Sequence, residues 1–136
     1  MSMIPIAVTT NISVDRDTFL DTVAVIDRAG GLTVTLPAAT GSGDVYRFYV
    51  KTTLTAAATI AALTTDIMQG TVAVSTDIGG TVAPTTATSD KLVMNGGTQG
   101  GLAGSYVEVR DVASATWFVT GALLSTSTEA TPFSAT

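Results

Sequence analysis

Eleven carboxylates, no histidine and no cysteine bound the chemistry open to this chain of 136 residues. Without histidine there is no ordinary general base at neutral pH, no Ser-His or Cys-His nucleophile pair and no imidazole ligand for zinc. Without cysteine there are no disulfides, thiolate metal sites or iron–sulfur clusters. The acids that could carry chemistry include Asp15, Asp17 and Asp21 in one cluster and Asp66, Asp77, Glu108 and Glu129 further on. An Asp-x-Asp pair can ligate calcium, but an EF-hand loop also needs further oxygen donors, a glycine at its sixth position and a closing glutamate, and these do not follow. Solvated turn carboxylates are the simpler reading, and neither metal nor cofactor is expected. The later acids could supply a pair for glycoside hydrolysis only if two of them met at about 5–10 Å. Most of them fall in turns or at hydrophilic strand positions.

Two other motifs fail on spacing. Gly41 and Gly43 begin a GxGxxG pattern, but Tyr46 stands where its third glycine belongs, and no helix follows to receive a phosphate. Ser89-Asp90-Lys91 sets a serine near a lysine outside any Ser-x-x-Lys frame. The expectation is a protein that is not an enzyme. Trp117 with Tyr46, Tyr49 and Tyr106 could form a sugar-stacking platform, although aromatics at strand spacing more often fill a core. Thr33 and Thr35, two residues apart, are the unit of an ice-binding face, which would need many such ranks in register.

The elements that would position these residues are strands. Threonine, valine, alanine and glycine dominate, while the usual helix formers are scarce. TVAVID and LTVTLP flank Ala29-Gly30-Gly31 and read as a hairpin, ended by Pro37. In VYRFYV, Tyr46, Phe48 and Val50 oppose Val45, Arg47 and Tyr49; with both faces largely apolar, this strand should be central or lie against a partner. LTAAATIAAL favours strand over helix. SYVEVRDV and WFVTGALL make a second hairpin across ASAT, with Trp117 and Phe118 at one end of the core. GGTQGGLAGS reads as a mobile loop.

The stretch TDIMQGTVAVSTDIGGTVAP (65–84) nearly repeats itself, at an offset of eleven residues for TDI and of ten for GTVA. That one-residue slip reverses the face on which every later side chain falls, so the copies cannot stack as a solenoid. They read as two turn-and-strand units, with Asp66 and Asp77 as Asx-turn residues. The expected fold is all-β: a compact antiparallel sandwich or small barrel of about eight or nine short strands. Residues 1–14, without charge, form an arm or first strand, and residues 15–136 form a single β-domain with a loose C-terminal tail.

Charge restricts the partners. Only 12% of residues are charged, against about 25% in ordinary soluble domains, and the net charge is −5. Six scattered basic residues offer no patch for nucleic acid or for an anionic membrane. No apolar run reaches the roughly 20 residues of a spanning helix, and the start MSMIPIAVTT lacks a signal peptide's basic and apolar regions. The chain is therefore expected to be made in a cytoplasm. A β-protein normally guards its edges with lysine, and here only Lys51 and Lys91 are present. Edges closed in a barrel or paired with other subunits follow, so a stable homo-oligomer within a larger assembly is expected.

GGLTVTLPAATGSGDVYRFYV (30–50), TTDIMQGTVAVSTDIGG (64–80), GSYVEVRDVASATWFVTGAL (104–123) and STSTEATPFSAT together resemble a β-module of virion structural proteins of tailed bacteriophages. The resemblance spans the chain from about residue 22 onward and implies a head decoration (cement) protein or a head- or tail-fibre module. As a decoration protein it would be a homotrimer on the capsid exterior, made in the host cytoplasm, with the major capsid protein as partner and no active-site residues. The uncharged arm around Ile4, Pro5, Ile6 and Val8 would dock on the capsid. The alternative is a fibre module that binds a host receptor or glycan through Trp117, Tyr106 and Gln99.

Overall fold

Alternating β-branched residues suit a pleated surface buried on one side, and the chain builds its sheets from them. The computed structural model describes residues 4–126 and 128–136. Among these, the elements are β1 (Ile6–Val8), β2 (Ile12–Ser13), α1 (Arg16–Phe19), β3 (Val23–Ile26), β4 (Thr33–Thr35), β5 (Val45–Val50) and β6 (Ala58–Ala61) in the first half. The second half contributes β7 (Ile67–Ser75), β8 (Gly80–Pro84), β9 (Lys91–Met94), β10 (Tyr106–Ala113), β11 (Thr116–Leu124) and β12 (Phe133–Ser134).

They form two sheets that face each other across one core. The larger has seven strands in the order β1-β3-β5-β10-β11-β7-β8, and the smaller has five in the order β12-β9-β6-β4-β2. The fold is all-β and sandwich-like, as the composition implied, but it is not antiparallel throughout. From β1 to β6 the chain alternates between the sheets, so β1, β3 and β5 lie parallel in the larger sheet while β2, β4 and β6 lie parallel in the smaller. This half is a short coil. The second half is made mainly of hairpins: β7–β8 and β10–β11 are antiparallel, and β9 runs antiparallel to both β6 and β12. β11 meets β7 in parallel. The strands number twelve among the described residues, more than expected, and open edges at β1, β8, β12 and β2 exclude a closed barrel.

Three local readings change. The hairpin expected around Ala29-Gly30-Gly31 is a crossover, since β3 and β4 belong to different sheets. Gly31, at φ +77, passes under the 56–57 backbone so closely that a Cβ would sit 2.0 Å from the Ala57 carbonyl oxygen. The tail is not loose: β12 pairs with β9, Phe133 is buried, and the Thr136 amide donates to the Asp90 carboxylate at 2.9 Å. The 95–101 loop is held rather than free, because Asn95 Oδ1 accepts the amides of Gly97 and Gln99 at 2.8 and 3.0 Å. The duplicated stretch avoids solenoid stacking, as the slip required. Its two copies form β7 and β8, paired antiparallel from Thr71↔Pro84 to Ser75↔Gly80.

The core lies between the inner faces. Trp117, Tyr46, Phe48, Ile60, Leu92 and Met94 are almost fully buried there, each contributing roughly 1.5–3 kcal/mol or more by leaving water. The Trp117 and Tyr46 rings lie 6.0 Å apart and tilted by 55°. The Trp117 indole N–H finds no acceptor among the described residues.

Candidate functional site

Strand alternation that sends Phe48, Val107 and Leu123 inward sends Tyr49, Tyr106 and Ala122 outward. Their registers line them up. Tyr49 pairs with Tyr106, Tyr106 with Ala122, Ala122 with Ala73, and Ala73 with Val82. On the other side Tyr49 pairs with Val25. One uncharged rank therefore crosses the outer face of the seven-stranded sheet, with Tyr49 at 38% and Val82 at 64% exposure. Phe118 and Leu124 also stand out from this face on β11. Sheets that face water on one side normally alternate apolar-in with polar-out, and this one departs from that rule.

The charges on this face neutralise one another. Arg47 Nε donates to Glu108 Oε1 at 3.1 Å, and its Nη1 lies 4.0 Å from Asp21. The Tyr106 hydroxyl donates to the same Glu108 oxygen at 3.4 Å. Burial, and then the Glu108 charge, push the Tyr106 phenol above its ordinary pKa, so it stays a donor. At the rim Lys51 pairs with Asp27 at 3.3 Å. Arg110, exposed, stands beside Phe118 as its pairing partner.

Two buried carboxylates, Asp111 and Asp66, hold loops in place. Asp111 is buried in the inward series Val107, Val109, Asp111. It accepts the amides of Thr40 at 2.9 Å and Gly41 at 2.6 Å and the Ser42 hydroxyl at 3.0 Å. Burial raises its pKa, but these donors from Thr40, Gly41 and Ser42 outweigh that and hold it below the usual carboxylate value. Asp66, also buried, accepts the Ala39 amide at 2.9 Å, 27 residues away, so it clasps a distant loop and is not an Asx-turn residue. At the β7–β8 turn the local bond comes from Thr76, whose hydroxyl accepts the Ile78 amide at 3.4 Å.

The acids singled out by sequence are dispersed over the molecule, apart from Asp77 and Glu129, which share one depression. Asp15 caps α1 by accepting the Thr18 amide at 2.8 Å, while Asp21 faces Arg47. No group of three or more potential ligands gathers among the described residues. Asp77 and Glu129 line one open depression of about 390 Å³, Glu108 stands on the outer sheet face, and Asp66 is buried elsewhere.

The two expected binding surfaces fare differently. Trp117 is fully buried, so it cannot face a receptor, and it lies on the opposite side of the sheet from Tyr106. Gln99 Nε2 donates to the Thr131 carbonyl at 2.8 Å, tying its loop to the C-terminal segment. In the N-terminal segment Ile4 is 71% exposed and Pro5 is exposed, but Ile6 is half-buried and Val8 is core. Thr22 Oγ1 donates to the Ile4 carbonyl at 2.9 Å, and the Asp27 amide donates to that of Val8 at 3.0 Å. Val8 therefore cannot dock without unfolding β1. Docking through this segment thus rests on Ile4, Pro5 and the open edge of β1.

Sequence reasoning noted Tyr49 and the two-sided apolarity of its strand but did not gather Val82, Ala73, Ala122 and Phe118 into one face. Alternation along β10 and β11 carried part of that signal. No family model, curated protein or solved structure matches the chain.

Proposed function

We propose that this chain is a non-catalytic structural protein of a tailed-phage virion, a decoration protein bound to the outside of the assembled head with the major capsid protein as partner. The observation that carries this reading is the apolar rank that crosses a charge-balanced outer face, beside the polar rank of Arg47, Glu108, Thr120 and Thr71, on a sheet whose buried acids hold loops. Such a surface loses little on desolvation, and a face whose depression beside Ala73 and Val82 is shallow and open suits a macromolecule better than a small substrate. Many copies that bind the assembled shell and not its separated subunits stabilise the shell by mass action, by about 2.7 kcal/mol per site at a hundredfold excess over Kd. Ile4, Pro5 and the exposed edge of β1 remain the docking candidates. The fibre alternative keeps Tyr106 and gains Tyr49 as stacking rings, but loses Trp117.

The test is co-sedimentation with purified heads and with dissociated capsid subunits. The reading requires saturable binding to heads, none to subunits, and a loss of occupancy in Ile4→Asp with the thermal midpoint unchanged. Absence of head binding together with retention on immobilised glycans would replace it with the fibre reading.

A further inference from the structure

We infer that the outer face of the seven-stranded sheet is a self-association surface, on which a second copy of this chain packs face to face about a two-fold axis. The inference stands on the geometry of the face and does not need the virion reading.

Three observations select a second copy over other occupants. The first is charge. Arg47, Arg110 and Lys51 balance Glu108, Asp21 and Asp27 across the face and its rim, so the face is neutral on a chain of net charge −5. A surface shaped for a basic partner would carry the excess acid, whereas a neutral one can meet its own copy without repulsion. The second is relief. Reading across the sheet, the large rings of Tyr49 and Tyr106 on β5 and β10 are followed by the small Ala122 and Ala73 on β11 and β7. A two-fold axis along the strands, midway between β10 and β11, sets Tyr106 of each copy over Ala122 of the other and Tyr49 over Ala73. The ridge fills the hollow twice, as an isologous contact requires. It also brings Arg110 over Phe118, a cation–π pair. The third is area. Six strands overlap, from β3 to β8, about 29 Å across at roughly 4.8 Å each, and six residues span about 20 Å along the strands. That covers about 600 Å² per copy, or about 1,200 Å² in all, the lower end of specific interfaces. The pair is a sheet-on-sheet packing like the one inside each monomer.

The measurement is light-scattering mass at about 10–100 µM, where a contact of this size should be populated. Wild type and Thr59→Arg, which alters the outer face of the five-stranded sheet, should run as two chains. Ala73→Arg should run as one, with circular dichroism unchanged and a cooperative thermal transition that no longer shifts with protein concentration. Should Ala73→Arg fold poorly, Tyr49→Ser, which only shortens an exposed side chain, should weaken pairing by about tenfold or more. A one-chain or three-chain mass for wild type overturns the inference, and so does pairing that survives Tyr49→Ser or a folded Ala73→Arg. Failure of head binding leaves the light-scattering mass untouched, whereas a pair through this face leaves Ile4, Pro5 and the edge of β1 as the surface for the head.

Discussion

The two outer faces of the sandwich are built from the same alphabet and come out unlike. On the five-stranded sheet the outward residues are Thr33, Thr35, Thr59, Ala61, Lys91 and Val93, small or hydroxylated and with one cation. On the seven-stranded sheet the outward set includes Tyr49, Tyr106, Phe118, Leu124 and Val82. Both faces have few charges, so low charge alone does not mark an interface. What separates them is size and relief: one is a shallow threonine lawn that water can wet, the other a ridge of rings beside a strip of alanines. The buried acids support this contrast, because Asp66 and Asp111 clasp loops at the strand ends, while Glu108, the carboxylate that stands on the larger face, is paired with Arg47.

The breadth of the larger face depends on β7, and the largest expected effect lies there. Gly70, at φ +148, lies so near β11 that a Cβ would meet the Val119 carbonyl oxygen at 1.9 Å. Gly70→Val should therefore cost about 4 kcal/mol or more in urea unfolding, through backbone strain and loss of the β7–β11 ladder. Next come two neighbouring aromatics on opposite sides of one sheet. Trp117→Ala should cost about 3–5 kcal/mol, whereas Phe118→Ala should stay within about 0.5 kcal/mol for the monomer while weakening pairing. Equal costs in urea would erase the distinction between core and face.

Asp111→Asn keeps the shape but removes the charge that holds Thr40, Gly41 and Ser42, and about 1–3 kcal/mol should be lost. The same clasp sets a pH dependence. The folded pKa of Asp111 is depressed below the unfolded value of about 3.9, so its contribution is fully present above that value and is lost as pH falls through the folded pKa. Asp27, lowered by the Thr52 hydroxyl and then Lys51, acts in the same direction. The urea midpoint should fall on acidification below about pH 4, more steeply in wild type than in Asp111→Asn. A midpoint that rose with acid would contradict the clasp.

Much of the second half was legible because hairpins are local. The β10–β11 pair and the one-residue slip between the copies that become β7 and β8 could be read from neighbouring residues. The first half was not, since its coil pairs β1 with β3 and β3 with β5 across intervening strands of the other sheet, and no turn residue announces a parallel neighbour. Gly31 illustrates the difficulty: it suits a hairpin turn equally well, and only the Ala57 carbonyl beside it reveals a crossover. Asp111 was legible in principle, because a carboxylate two residues beyond Val109 falls on the inward side of its strand. The functional face was legible as alternation strand by strand; its assembly into one rank required the register.

A cysteine-free chain allows the central claim to be tested by trapping. Single variants Tyr49→Cys and Ala73→Cys, mixed with a bismaleimide of about 8 Å reach, should cross-link to each other faster than either does to itself, since facing sheets lie about 10 Å apart, too far for a direct disulfide, and the two-fold contact sets each position over the other. Self cross-links forming as fast as the mixed one, or none at concentrations where two-chain mass is seen, would place the contact elsewhere.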